Sequence, residues 1–229
     1  SIASDTRQAS MMWMAAGLAV AAGVVAGRWL LHRYDGLGRR RPFPHLAVVV
    51  LALLAVVAAI PTYLRTREED RLSMVAAQLV GSHVRVHCQT AGQEFVDAGA
   101  ELGYVRWGAD GAPEHRTLIK REPCAALRGY LHSSKHAPTD SQVVAVHILT
   151  HESMHMRGEK AEAIAECEAL QRDARTALLL GASPTDAQRL ARRYWVALYP
   201  RMSDDYRSSE CRSGGALDEH LPDAPWENP

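Results

Sequence analysis

His151-Glu152-Ser153-Met154-His155 is an H-E-x-x-H stretch, and its reading decides what the rest of the chain must be. Histidines four apart lie on one face of a helix, one turn above the other. Two imidazoles so placed can grip one Zn²⁺, an ion that prefers a tetrahedral set of N, S and O ligands. Glu152 stands between them beside the remaining metal position, where it can take a proton from bound water. The plain alternative is two helix-face histidines satisfied by hydrogen bonds.

The flanks favour a buried helix. Thr139 with Gln142 three residues on is a capping-box pattern, and Val143, Val144, Val146, Ile148 and Leu149 follow it. A helix apolar on most sides is a buried one. Buried imidazoles and a buried carboxylate need partners, and a metal supplies one. His147 is four before His151 and shares its face. It is expected to pack beneath the site rather than to bind metal. Gly158 can end the helix in a left-handed turn, and Glu162-Ala163-Ile164-Ala165-Glu166 opens a second helical pattern, expected to run from about Glu159 to Leu180.

With H-E-x-x-H, Gly158 and the E-A-I-A-E run, the chain resembles the zincin metallopeptidases, and within them the gluzincins. The resemblance implies that Glu162 is the third zinc ligand and that Glu166 is the carboxylate orienting a ligand histidine. Glu166 and Glu159 are the rivals for the third-ligand position. Six residues separate His155 from Glu162, which is short for that branch. Gly158 is placed as in the metzincins, but their third ligand would fall on Ala161, which cannot bind metal. The set H-E-x-x-H-x-x-G, E-A-x-A-E-C and Y-R-S-x-E-C also resembles a group of small membrane-anchored actinobacterial proteins of unassigned activity, over residues 84–225. What the resemblance implies is a metallopeptidase-like α+β domain, with a short sheet ahead of the active helix and one edge strand that pairs with an extended substrate.

The chain carries 26 basic and 26 acidic residues, a balance that points to no nucleic-acid partner. The balance is uneven, however. Residues 1–63 hold six Arg and two Asp, a net of +4, and the remainder is correspondingly acidic. Two apolar stretches, Met11 to Leu31 and Leu46 to Leu64, approach the ~20 residues that cross a bilayer. The basic hairpin His32–Pro44 between them carries Arg33, Arg39, Arg40 and Arg41, and short basic loops stay in the cytoplasm. A two-pass cell-membrane protein with both termini extracytoplasmic is expected. The competing reading, a signal peptide followed by a buried core helix, lacks an A-x-A cleavage site.

The expected organisation is therefore an N-terminal tail over residues 1–10, two transmembrane helices within 11–64, a juxtamembrane helix within 65–82 and an extracytoplasmic domain over 83–229. Leu72, Val75, Ala76 and Leu79 recur at helical spacing in the juxtamembrane segment and suit a helix that caps the domain core better than one lying on the bilayer. Strand-like runs follow at Val84–Gln89, Leu102–Trp107 and Arg116–Arg121, then a short helix over Cys124–Tyr130. Ser183-Pro184 starts a third helix after the motif, and the last thirty residues read as an irregular tail. Cys88, Cys124, Cys167 and Cys211 all fall in the segment expected outside, where disulfides persist. Of the three possible pairings, Cys88–Cys124 and Cys167–Cys211 are favoured.

The expected function is a membrane-anchored zinc peptidase acting on a peptide or protein, with Glu152 as general base. The alternative is a non-catalytic binding or accessory subunit with structural zinc, possible also within a membrane-protein complex. Tyr194, Tyr199, Tyr206, His132 and His136 are all available as oxyanion donors, and the sequence does not choose among them.

Overall fold

A computed structural model describes residues 2–90 and 101–226, with side chains from Trp13 onward. The chain divides into two compact units, residues 1–67 and 68–229.

Two long helices dominate the N-terminal part: α1 (Ile2–Leu31) and α2 (His45–Val80). Within α1, Trp13–Leu31 spans 19 residues at a mean hydropathy of 1.7, and α2 reaches 2.6. Both are long and apolar enough to cross a membrane. Their apolar side chains lie outward, with Val20, Leu31, Leu46 and Val57 each more than 60 % exposed. A helix that keeps such groups out of a protein core belongs in lipid, so the chain is membrane-associated. Two boundaries differ from expectation. Residues 2–10, expected as a tail, are already helical. The second apolar run and the juxtamembrane segment, expected as separate helices, are the single helix α2, which contains Pro61. Leu72, Val75 and Ala76 on its last turns are buried in the core of the second unit.

Three strands form one small sheet: β1 (Arg85–Cys88), β2 (Gly103–Trp107) and β3 (Pro113–Ile119), in the order β1-β3-β2. β1 runs parallel to the central β3, and β2 is antiparallel to it. The β2–β3 turn closes through Gly108 N to the Ala112 carbonyl, with Gly111 at φ 77°, a conformation that favours glycine. Residues 91–100, between β1 and β2, fall within the expected domain but outside the described residues.

Helix α3 (Arg121–His132) follows the sheet, and α4 (Asp140–Arg157) carries the motif through the core. Both halves of the α4 capping box are present: Gln142 N donates to Thr139 Oγ1 and Thr139 N to Gln142 Oε1. Such a cap contributes about 1 kcal/mol. Gly158 ends the helix at φ 115°. The single helix expected over residues 159–180 is instead two, α5 (Glu162–Leu170) and α6 (Asp173–Leu179). One side chain at the break is tied to the tail. The Gln171 side chain is fully buried, donates to the Cys167 and Leu217 carbonyls and accepts from Glu219 N. The tail thus takes over polar groups at the helix joint.

Ser183 caps α7 (Pro184–Arg193), which continues as a π-helical turn, Tyr194–Leu198, and a 3₁₀ turn, Tyr199–Arg201. The tail beyond is irregular apart from a 3₁₀ turn at Asp204–Tyr206. Cysteine sulfurs meet in the pairs Cys88–Cys124 and Cys167–Cys211, with Cα atoms 5.8 and 5.5 Å apart. The first ties β1 to α3. The second ties the tail to α5, one residue beyond Glu166.

Candidate functional site

Helices α4 and α5–α6 run back on each other after the tight turn at Gly158, and this brings two rows of side chains face to face. His155, His151 and His147 stand one turn apart on α4. Glu162, Glu166 and Asp173 fall at i, i+4 and i+11, one face of the opposing helical segment. The two rows interlock as a zigzag. Glu162 Oε2 lies 3.3 Å from His155 Nε2 and 3.1 Å from His151 Nε2. Glu166 Oε2 lies 3.1 Å from His151 Nδ1 and 2.9 Å from His147 Nε2. Asp173 Oδ2 lies 2.8 Å from His147 Nδ1.

The ring orientations are held from behind. His155 Nδ1 lies 2.7 Å from the Glu159 carbonyl, which can only accept, so Nδ1 carries hydrogen and Nε2 turns to the site. The Glu159 carboxylate meanwhile accepts from Ala161 N and shapes the turn. His151 Nε2 faces His155 Nε2 at 2.9 Å. Its Nδ1 is close to Glu166 but off the line of a hydrogen bond. Glu166 also accepts from the Tyr194 hydroxyl at 2.7 Å, and the Tyr194 ring stacks on His147 with centroids 3.7 Å apart.

Two groups in this zigzag could hold a metal ion: His151, His155 and Glu162, and the deeper His147, His151 and Glu166. Their surroundings differ. At the deep end, burial pulls the His147 pKa down, but Asp173 and Glu166 outweigh it and raise it to about 10. An imidazolium that donates from both nitrogens to two carboxylates accounts for those contacts without a metal. Burial holds the Asp173 carboxyl up, while Glu166, against the same burial, is held well below the usual range by His147 and His151.

The outer group has a different character. Hydrogen bonds with His151 and His155 bring Glu162 down to about 2. Burial lowers His151, but Glu162 and Glu166 raise it to about 9. The three facing atoms form a triangle with edges of 2.9, 3.1 and 3.3 Å. Tetrahedral ligands held ~2.0–2.1 Å from zinc stand about 3.3 Å apart, so the nitrogen, nitrogen and oxygen donors fit such an ion. The imidazoles are buried whereas the Glu162 side chain is 42 % exposed, so the triangle has one face open to the cavity.

Glu152 is buried beside this triangle. Burial raises its pKa against the pull of His151 and His155. Its carboxylate sits in a cradle made by the sheet. Thr117 Oγ1 on β3 donates to Oε2 at 3.2 Å. On β2, Gly103 leaves the space for Oε1, since a Cβ there would lie 2.8 Å from that oxygen.

A cavity of about 440 Å³ opens over these groups. Leu102, Val105 and Trp107 from the β2 side, Val144 and Ile148 from α4, and Leu198 and Met202 beyond α7 give it an apolar lining. Of the five possible oxyanion donors, only Tyr194 and Tyr206 reach it. Tyr194 donates to Glu166. Tyr199 is engaged with the Ser208 backbone, His136 with Asp186, and His132 lies toward Glu68. The Tyr206 ring is 5.8 Å from that of His151, and burial, then Glu162, pushes its phenol up to about 12.

Asp173 and the orienting role of Tyr194 went unread in the sequence. A signal for Asp173 existed: it continues the i, i+4 row of Glu162 and Glu166 two turns on. No protein-family model, no curated protein and no solved structure matches the chain.

Proposed function

We propose that the chain is a membrane-anchored, metal-dependent peptidase with a zincin-like domain, in which His151, His155 and Glu162 hold Zn²⁺ and Glu152 is the general base. The observation that carries this reading is the triangle of Nε2, Nε2 and Oε2 atoms, sized for a tetrahedral ion, with a buried carboxylate beside it. The bound ion would supply a Lewis acid that polarises the scissile carbonyl and lowers the pKa of water. Glu152 takes the proton of the attacking water and delivers it to the leaving amine nitrogen. Tyr206, protonated at neutral pH, donates to the oxygen on which charge develops. Glu166, with its charge 3.1 Å from His151 Nδ1, would favour a hydrogen on that nitrogen and leave Nε2 for the ion.

The substrate enters as an extended chain. β2 is an edge strand that lines the cavity, and strand pairing offers backbone hydrogen bonds to any sequence. The apolar lining suits a large apolar side chain beside the scissile bond. The Arg-rich hairpin on the cytoplasmic side would place the domain outside the cell, and the cysteine pairs are in keeping with that compartment.

A non-catalytic accessory role is the second reading. It draws on the zigzag itself, which pairs every one of its carboxylates without needing substrate. Glu152→Gln separates the two. Peptidase action predicts that the variant binds one Zn²⁺ per chain as wild type does, yet cleaves a peptide library ~10²–10⁴-fold more slowly. Equal cleavage by both proteins, or none by the zinc-loaded wild type, rejects it.

A further inference from the structure

We propose that the hairpin between α1 and α2 contains a binding site for the phosphate of an anionic phospholipid headgroup, formed by Arg28, His32 and Arg41.

The site is a cleft of about 440 Å³ lined by Arg28, Trp29, His32, Arg41, Pro42 and Pro44. It is built, not a loose loop. Trp29 Nε1 donates to the Arg41 carbonyl at 3.0 Å, which pins the returning strand of the hairpin against the last turn of α1. The Phe43 ring packs edge-on to Trp29 at 4.9 Å, and His45 in turn meets Phe43 at 4.7 Å. Tyr34 and Arg40 form a bridge, and Arg41 N donates to the Arg33 carbonyl. The two prolines stiffen the exit into α2.

The charge within the hairpin is unbalanced. Arg28, Arg33, Arg39, Arg40 and Arg41 lie within fourteen residues, with Asp35 as the one acidic residue among them. Asp35 Oδ1 accepts from Leu37 N and Arg39 N and is committed to the turn. Arg33 and Arg40 flank the Tyr34 ring. Arg28 and Arg41 instead line the cleft, and neither forms an ion pair with a carboxylate among the described residues.

Position selects the ligand. Arg28 lies in the last turn of an apolar helix that can cross a bilayer. Trp29 beside it is a residue type that sits at the headgroup level. Guanidinium groups bind phosphate oxygens in a fork that an ammonium cannot copy. Basic pockets at the ends of membrane helices take anionic headgroups. A phosphate carried on a lipid has its acyl chains in the bilayer, where α1 is, and its anion at the depth of Arg28.

The test uses the full chain in nanodiscs of phosphatidylcholine with a minor fraction of phosphatidylglycerol, and native mass spectrometry counts the lipids retained on release. Wild type is expected to retain phosphatidylglycerol selectively. Arg28→Gln with Arg41→Gln should weaken that retention about 10- to 30-fold. Arg39→Gln with Arg40→Gln removes the same charge outside the cleft and should change it less than about threefold. Trp29→Phe keeps every charge but removes the pin on Arg41 and should reduce selectivity too. Equal losses in the two double variants, or no selectivity in wild type, overturn the site. Displacement of the lipid by millimolar inorganic phosphate assigns the cleft to free phosphate and overturns the lipid assignment.

Discussion

His151 and His155 point their Nε2 atoms at each other across 2.9 Å, although each is a potential cation. Because the Glu159 carbonyl fixes a hydrogen on His155 Nδ1, the second ring nitrogen is the one that confronts His151. Two lone pairs cannot meet at that distance without a proton or a metal between them. In the absence of metal a proton is retained there, and His151 keeps its proton up to a pKa of about 9.

Metal binding should therefore release protons at neutral pH. The sign follows from the raised pKa: below about 9 His151 is protonated and must lose that proton, so affinity rises with pH and levels off above it. Isothermal titration with Zn²⁺ in buffers of differing ionisation enthalpy measures the release. The expected gain is up to about tenfold in apparent affinity per pH unit for each displaced proton. A pH-independent affinity would show that the ion, if bound, sits elsewhere. Glu162→Gln should weaken binding while leaving the fold intact, since Glu162 is the most exposed member of the triangle.

Gly103 has no side chain to bind anything, yet it faces Glu152. A Cβ there would come within 2.8 Å of Glu152 Oε1, and the flexible carboxylate is the group that would move. Gly103→Ala should leave zinc content and melting temperature near wild type but slow hydrolysis by about 10²-fold, the cost of an ångström-scale misplacement. A fall in zinc content instead would place the effect at the ligands.

Much of this site was legible before the structure. The i, i+4 histidines, the Thr139–Gln142 cap and the left-handed Gly158 depend on local geometry, so short-range patterns reveal them. Glu162 and Glu166 were singled out by the resemblance to the gluzincins, and the structure brings both against the histidine row. The surroundings of the joint at Gln171 were not legible, because they are tertiary: the tail residues Leu217 and Glu219 satisfy the Gln171 amide from 46 and 48 positions away. No local pattern contains that. The same limit hid Tyr194, whose role depends on a helix that returns to the site. It also hid which edge strand lines the site, since β1 and β2 are both edges of the sheet and the approach of Gly103 to Glu152 is what puts β2 beside the motif.

The disulfide Cys167–Cys211 closes a loop of 44 residues and anchors the stretch that carries Tyr206. Chain-entropy arguments give about 4 kcal/mol for a loop of that length. The double variant Cys167→Ala with Cys211→Ala should lower the melting temperature and loosen the tail. It should also cut kcat more than it raises KM, because in the proposed mechanism Tyr206 would act on developing charge and not on ground-state binding. Tyr206→Phe in the intact protein should reproduce the kcat loss without the loss of stability. Unchanged turnover in Tyr206→Phe would remove it from the mechanism.

His147 makes the deep end of the zigzag sensitive to alkali. Its folded pKa is raised to about 10, against ~6.5 for an unfolded histidine. A group with a raised pKa contributes stability that is complete below the unfolded value and disappears as pH climbs through the folded one. In chelator-treated protein, the stability gap between wild type and His147→Gln should thus be widest near pH 6 and narrow steadily toward pH 10. Asp173→Asn acts on the other partner. It leaves a buried imidazolium with one carboxylate in place of two, and removing one member of a buried pair costs about 3–5 kcal/mol. Urea melts of the three proteins across that pH range measure both effects. If the gap instead widened with pH, His147 would be a neutral ring in the fold, and the inner group of His147, His151 and Glu166 would become the better place to look for the metal.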